Sequence, residues 1–295
     1  MTTKPTSPFS LNQNFASYIE PKEYAAVVQK LRSFFLSKGY IEVHSQHRRS
    51  ILAACEDPST ITIYDFNGER WPLPQTSQMW LEYEMLRNPV ETGYFCCCST
   101  SYRNEPNPIE GRHDKIFPMF EFEINGGIDK LKEMEVELLQ HLGYKLPASG
   151  VYPAQDYMTV ADQHKVFDLE HEHEQAIYDE HGAVFFLEQF PSFTSPFWNM
   201  KKNENDNRFS NKIDVILSGM ETIGSAERST DPEQMRACFE NISNGMYANT
   251  LYNHFGKERV GKELDDFLSL PFFPRSGGGI GITRLISSMK KEGLL

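Results

Sequence analysis

Ser101-Tyr102-Arg103-Asn104-Glu105, running on to Gly111-Arg112-His113, and Ser276-Gly277-Gly278-Gly279-Ile280-Gly281-Ile282-Thr283-Arg284 are the two stretches on which the fold turns. In the first, an apolar run from Tyr94 to Cys98 leads to Arg103. A loop with Pro106, Asn107, Pro108 and Gly111 follows, and Ile116 to Ile124 reads as a returning strand. Turn residues between two apolar runs make a strand-loop-strand unit with cations at its mouth. In the second, glycines let the backbone pass close to a flat ligand, and Arg284 stands where a helix over Leu285 to Lys291 can begin. A guanidinium binds phosphate and stacks on a purine, so the two stretches together point to an ATP site.

Outward from these stretches, the pattern is one of strands paired through turns and flanked by helices. Ile61 to Phe66 alternates toward Asn67-Gly68, and Trp71 to Leu73 returns as a hairpin. Gln78 to Leu86 reads as a short helix, and Lys130 to Leu142 as an amphipathic one with Leu131, Met134, Leu138 and Leu142 on one face. Thr159 to His164 and Glu172 to His181 are helical, Ala183 to Phe190 is a buried strand, and Phe197 to Lys201 a short one. Lys212 to Glu227 holds two strands around Ser218-Gly219, and Asp231 to Phe255 is mostly helix with a break near Asn244-Gly245. This implies an α+β fold on an antiparallel sheet. At 295 residues and 39% hydrophobic content, with no Pro/Gly/Ser-rich linker, the chain reads as an N-terminal arm over 1–20 and one domain over 21–295.

A net charge of −12, from 29 Lys and Arg against 41 Asp and Glu, weighs against a large polyanionic partner. His47, Arg48 and Arg49 form a local basic patch that reads as a solvated edge. Five cysteines, with Cys96, Cys97 and Cys98 adjacent, make no disulfide framework and no CxxC pair; they read as small buried residues in a reducing cytosol. There is no signal peptide and no apolar run long enough to span a bilayer. If the strands around Ser218-Gly219 pair, Asp214 and Glu221 approach one point. They are then either solvent-facing acids beside a turn or hard oxygen ligands for Mg²⁺ on ATP phosphates. His164 and the His171-Glu172-His173 run carry no metal reading, since histidines at i and i+2 do not share a helix face; a solvated helix is expected there.

The motifs resemble those of the class II aminoacyl-tRNA synthetases, in the aspartate, asparagine and lysine branch, over nearly the whole chain. The second family motif maps onto Arg103, Glu105, Arg112, His113 and Phe117, and the third onto Gly279, Gly281 and Arg284. A first motif, a helix and strand at a dimer interface, maps onto Glu23 to Ser37 and Tyr40 to His44, with Gln46 near the place of the usual proline. The resemblance turns the two acids toward the metal reading, because a Gly-Ser-x-x-Arg stretch follows them as Gly224, Ser225 and Arg228. It implies a chemistry without a protein nucleophile: a carboxylate attacks the α-phosphorus of ATP, pyrophosphate leaves and an acyl-adenylate remains. Arg103 would meet the charge on the α-phosphate, Arg112 and His113 the outer phosphates, Phe117 and Arg284 the adenine faces, and Asp214 and Glu221 the magnesium. Ile116 stands where the branch usually has Glu, which removes a side-chain contact to the adenine amino group.

The substrate end rests on Thr76-Ser77-Gln78-Met79-Trp80-Leu81-Glu82, which is similar to the asparaginyl pattern and has Leu81 where aspartate-type members carry Lys. We expect Ser77, Gln78, Leu81, Glu82, Ser225 and Arg228 around the side chain of the activated amino acid, although the same letters suit an amphipathic helix with Leu81 in the core. The first-motif helix begins near Pro21, where the branch would need room for an anticodon-reading β-barrel. We therefore expect an AMP-forming ligase that amidates a small amino acid with ammonia or another amine, as archaeal asparagine synthetases do. A stand-alone core charging tRNA, a carrier or a metabolite, and a silent regulatory paralogue, remain as alternatives. A symmetric homodimer is expected, since the first motif would otherwise expose Phe34, Phe35 and Ile41.

Overall fold

The computed structural model describes residues 16–45, 52, 58–109 and 112–295. Residues 1–15 of the expected arm, Gln46, the His47-Arg48-Arg49 patch and Gly111 lie outside the described residues. The chain runs α1 (Pro21–Ser37), β1 (Ile41–Glu42), β2 (Ile63–Phe66), β3 (Glu69–Pro72), α2 (Gln78–Arg87), β4 (Gly93–Tyr102), β5 (Ile116–Asn125) and α3 (Ile128–Leu142). It continues with β6 (Ala154–Asp156), α4 (Tyr157–His164), α5 (His171–His181), β7 (Val184–Pro191), β8 (Phe209–Leu217) and β9 (Met220–Glu227). Last come α6 (Pro232–Asn241), α7 (Met246–Phe255), α8 (Lys257–Leu268), β10 (Arg275–Gly281) and α9 (Ile282–Lys291).

Local chemistry sets the boundaries. Pro21 opens α1, whose free amide at Glu23 is capped by the Glu20 carboxylate at 2.8 Å. The β2–β3 turn places Asn67 and Gly68 at φ 54° and 78°, and the β8–β9 turn places Ser218 and Gly219 at 51° and 89°. These are the left-handed pairs that a two-residue hairpin requires. The helical break after α6 falls at Ser243 and Asn244, both left-handed. Two expectations fail. Phe197 to Lys201 is not a strand but a turn held by isolated bridges, Met200 to Arg228 and Lys202 to Ser210, and α8 went unmarked in the sequence pattern. A bulge in β4 between Cys96 and Ser99, with Cys98 at φ 65°, also breaks the alternation of the cysteines: Cys96 is buried, while Cys97 and Cys98 are only half-buried.

The strands form one eight-stranded sheet in the order β1-β4-β5-β10-β9-β8-β7-β6, with β2 and β3 as a separate hairpin. The β1–β4 and β6–β7 pairs at its two edges are parallel and all the pairs between are antiparallel. In β5 the sequence Phe120-Glu121-Phe122-Glu123 shows how the faces divide. Both phenylalanines are fully buried against α1, with Phe35 ring centroids at 5.0 and 5.4 Å, and the glutamates point to the opposite face. The phenylalanine face, the back of the sheet, is covered by α1, α3 and α9. Each fully buried phenylalanine contributes about 1.5–3 kcal/mol, which offsets the cost of holding two buried glutamates on the other side. Phe34 and Phe35 belong to this core, at 3% and 0% exposure, so they do not form the open dimer patch expected of them; Ile41 is exposed as expected, and Leu36 with it. On the front face, α2 and α6–α8 build a second core around Trp198 and Phe239, and α4 and α5 build a third against β7. Among the described residues no helix is long and apolar enough to cross a membrane.

Candidate active site

Between the two front-face cores the sheet floors a cavity of about 350 Å³. Backbone approach is close there because β10 is stripped of side chains: a Cβ on Gly277 would stand 1.7 Å from Glu123 Oε2, and one on Gly279 2.6 Å from the Met119 methyl. Gly281 has room for a Cβ, its nearest neighbour being Arg284 at 3.6 Å.

One end of the cavity gathers the cations of both opening stretches: Arg103, Arg112, His113 and Arg284 all line it, together with Glu105, Phe117 and Glu221. Arg103 follows β4 directly, its amide bonded to the Lys115 carbonyl at 2.8 Å across the hairpin, and its guanidinium lies 5.6 Å from the Phe117 ring centroid. Arg284, in the first turn of α9, donates to the Glu221 carbonyl at 2.7 Å. Burial pushes the Glu221 carboxyl up, but the charges of Lys212, Arg284, Arg103 and Arg112 override it and hold the group below its ordinary value. The potential at this end is therefore positive. Burial, reinforced by Arg284 and Arg112, lowers His113 as well, which favours its neutral ring. Ile116 is exposed and pairs with Tyr102 outside the cavity lining.

Asp214 and Glu221, the expected metal ligands, converge only in part. Asp214 lies opposite Gly224 in the β8–β9 ladder; a Cβ on Gly224 would be 3.5 Å from Asp214 Oδ1 and 3.2 Å from Glu221 Oε1. Glycine leaves the space between the two carboxylates free, as a hard cation with few protein ligands needs. Yet Asp214 is not part of the main cavity wall, and its Oδ2 accepts from Lys212 Nζ at 2.8 Å. Among the described residues no group of three or more His, Cys, Asp or Glu could hold a metal by itself. The expected solvated helix α5 is corrected too. Its Glu174 turns inward, pairs with Arg112 and accepts from the Glu221 amide at 2.7 Å, while Ile177 is buried; His173 serves as a cap, its Nδ1 accepting from the Glu170 amide.

The other end differs from the expectation at four of six residues. Gln78 and Arg228 line the cavity as predicted. Leu81 does not: it is fully buried with Met85, Tyr94 and Cys96, because the apolar face of α2 needs it there. Ser77 is buried beneath the wall, where its hydroxyl accepts from Ser45 at 2.9 Å. Ser225 borders the cavity, but its side chain points to the back face. It pairs with Gly278, where a Cβ would touch its own Cβ at 2.6 Å, and its hydroxyl donates to the Ile213 carbonyl. Glu82 is buried below the cavity. Its Oε2 accepts from Arg275 at 2.8 and 3.1 Å, its Oε1 accepts from Asn199, and Arg228 Nε lies 3.6 Å away. Arg228 in turn donates to Glu123 at 3.2 and 3.3 Å and to Gln78 Oε1, and Gln78 donates to the Gly278 carbonyl.

Sequence reasoning missed Glu121, Glu123, Glu174, Lys212 and Arg275. Glu121 accepts from Thr76 Oγ1, from the Ser77 amide at 2.8 Å and from Ser99 Oγ at 2.7 Å, so it fixes the turn that leads into α2. The signal for it and for Glu123 was present: acids alternating with phenylalanine in a strand have to be buried on one face. Lys212 and Glu174 gave no such signal.

A family model for class II tRNA synthetases (D, K and N) matches residues 15–293. Cytoplasmic aspartate–tRNA ligase 1 of Arabidopsis thaliana is 23% identical over 290 residues, covering 86% of this chain and 51% of its own length. The aspartate–tRNA(Asp/Asn) ligase of Methanococcus maripaludis is 29% identical over 118 residues, 40% of this chain and 24% of its own. The chain thus spans about half, or less, of the curated relatives it matches. Among solved structures, asparaginyl-tRNA synthetase of Pyrococcus horikoshii with asparaginyl-adenylate superposes with a TM-score of 0.71 at 20% identity, over 92% of this chain and 64% of that one. The Entamoeba histolytica enzyme with the same adenylate gives 0.69 at 17%, over 92% and 63%. The fold, the order of the three motifs and a family match over nearly the whole length agree, and the chain belongs to the class II tRNA synthetases of the D, K and N group.

Proposed function

We propose that this chain activates an amino acid with a neutral amide side chain as its adenylate, using ATP and Mg²⁺, and passes the acyl group to ammonia or another small amine. The observation that carries the first half is one continuous cavity whose wall runs from Phe117 and Arg284, past Arg103, to Gln78 and Arg228. ATP would lie with its base between Phe117 and Arg284. The substrate carboxylate would then meet the α-phosphorus beside Arg103, whose fixed charge opposes the one that develops there as pyrophosphate leaves. Glu221 would hold the magnesium, which neutralises phosphate charge when bound, while Asp214, across Gly224, accepts from Lys212 at 2.8 Å.

The amide preference rests on a charge balance. Glu82 and Glu123 face Arg228 and Arg275, two negative against two positive, so Arg228 can donate to a side-chain oxygen but has no net charge left for a carboxylate. The small-amine acceptor is supported by the net charge of −12. A tRNA acceptor is a second reading, favoured by the names of the relatives. A homodimer through α1 and the open edge at β1, in a reducing cytosol, completes the proposal. ATP/pyrophosphate exchange over a panel of amino acids tests the activation: we expect asparagine to exceed aspartate, and no exchange with any amino acid would overturn it. AMP release on adding ammonia or tRNA then separates the acceptors, and light scattering at micromolar concentration checks the dimer.

A further inference from the structure

We propose that Lys212 is a built-in cation committed to Asp214, so that the divalent metal at the phosphate end is held through Glu221 without Asp214. The proposal rests on the reading of this cavity as an ATP site. Alternation along β8 sends Ile213 and Val215 into the core and puts Lys212 and Asp214 together on the cavity face. The ammonium is 2.8 Å from Asp214 Oδ2 and 3.9 Å from the Phe190 ring centroid, and the two side chains are only 15% and 9% exposed. A carboxylate on one side and an aromatic face on the other hold the charge in place and keep it largely out of water.

Position supports the same assignment. Lys212 lines the main cavity and Asp214 does not; Lys212, Asp214 and Glu221 together line a smaller adjoining cavity, so the ammonium stays beside Asp214 on both sides. A divalent ion bound to Asp214 would have to displace a charge-assisted hydrogen bond and then sit beside the ammonium it displaced, like charge against like charge. At Glu221, which opens on the cavity, the nearest ion-pair partner is more distant: Arg284 Nη1 lies 3.8 Å from Oε2. Lys212 thus supplies at Asp214 the positive charge that a second metal ion would otherwise bring.

The test is Mn²⁺ binding followed by electron paramagnetic resonance on the full chain, first with Mn²⁺ alone. Lys212→Met keeps the stem against Phe190 and removes the charge; it should bind Mn²⁺ about tenfold more tightly than wild type, because Asp214 joins Glu221 as a ligand. That gain should vanish in Lys212→Met/Asp214→Asn, and Lys212→Arg should behave as wild type. Asp214→Asn alone should leave wild-type affinity unchanged. Equal Mn²⁺ affinity in Lys212→Met and wild type, a gain that survives Asp214→Asn, or a loss of wild-type affinity on Asp214→Asn alone would each overturn the assignment. Circular dichroism confirms that each variant is folded. Repeating the titration with α,β-methylene-ATP, whose own binding is read by calorimetry, keeps the two ideas apart. An analogue that does not bind the wild type sinks the ATP reading, while the Mn²⁺ contrast still decides the role of Lys212.

Discussion

The two ends of the cavity hold the same kinds of charge in opposite states. At the phosphate end, Arg103, Arg112 and Arg284 stand on loop and helix-start positions, half-open to the cavity, and their summed field holds Glu221 below its ordinary pKa. At the side-chain end, Arg228 and Arg275 are 4% and 0% exposed and are consumed by Glu82 and Glu123. Charge at an open cavity wall attracts a charged ligand; charge buried in a matched network gives shape and hydrogen bonds and repels a net charge. A cavity with one end of each sort suits a polyphosphate joined to a neutral side chain.

The sharpest way to break this comparison is to unbalance the matched end. Glu82→Ala leaves Arg275 buried without its partner, which costs about 3–5 kcal/mol. We expect a large fall in melting temperature and loss of activity together. Leu81→Lys should behave similarly, because an ammonium placed among Met85, Tyr94 and Cys96 has no water and no counter-charge. If Leu81→Lys instead folds normally and takes aspartate, α2 is rotated from the position described. A wild-type melting temperature for Glu82→Ala would show that the network does not support the fold.

The open end should respond in the opposite way. Arg103→Ala removes a half-buried side chain that packs on Phe117 but anchors no core. Melting should stay within a few degrees of wild type while pyrophosphate exchange falls by roughly 10²-fold, about 2.7 kcal/mol at the barrier. Normal exchange in the folded variant would remove Arg103 from the mechanism.

That contrast also explains what could be read from the sequence. Arg103, Arg112, Phe117, Gly279 and Arg284 were legible because turn chemistry and order along the chain fix them, and both are local. The β2–β3 and β8–β9 hairpins were legible for the same reason, from Asn67-Gly68 and Ser218-Gly219. The matched network was not, because it joins Glu82 on α2, Glu123 on β5, Arg228 after β9 and Arg275 on β10, up to 193 positions apart. No period or spacing marks such pairs. Leu81 shows the same limit from the other side: one residue of an amphipathic helix faces either cavity or core, and only the packing of β4 against α2 decides it. Glu174 was hidden because α5 carries acids on every face and the turn that Arg112 occupies selects one of them.

A further buried carboxylate sits on the opposite side of the sheet, and the neighbours that act most on its charge include no arginine. Burial pushes Glu135, on α3, up to about 8, with the Ser225 hydroxyl opposing and Asp214 and Glu188 adding to the rise. Its folded pKa lies above the unfolded one, so its protonated form stabilises the fold below pH 4.5, and that contribution is lost as pH rises through about 8. Wild type should therefore lose stability between pH 5.5 and 9 more steeply than Glu135→Gln, by about 1–3 kcal/mol. Parallel melting curves for the two would mean that the carboxyl finds a partner on ionisation.

The finest test of the comparison uses pH to shift the balance at the matched end without touching its shape. Burial raises the Glu123 carboxyl to about 7, against the pull of Arg228 and with the push of Glu82. Above that pH Glu123 is ionised and the four groups cancel; below it Glu123 is neutral and Arg228 keeps a surplus positive charge. The side chain of free aspartate, with an ordinary pKa near 3.9, is ionised throughout this range, and the α-amino and α-carboxyl groups are common to both substrates. The ratio of kcat/KM for aspartate over asparagine in pyrophosphate exchange thus isolates the pocket. We expect it to rise as pH falls from 8 to 6, by at most about tenfold, or 1.4 kcal/mol. Glu123→Gln, neutral at every pH, should hold the ratio at its raised value and flatten its pH dependence. A wild-type ratio that is already flat would mean that Glu123 stays ionised beside Arg228, and that the preference for an amide is set by hydrogen-bond geometry at Gln78 and Arg228 and not by charge.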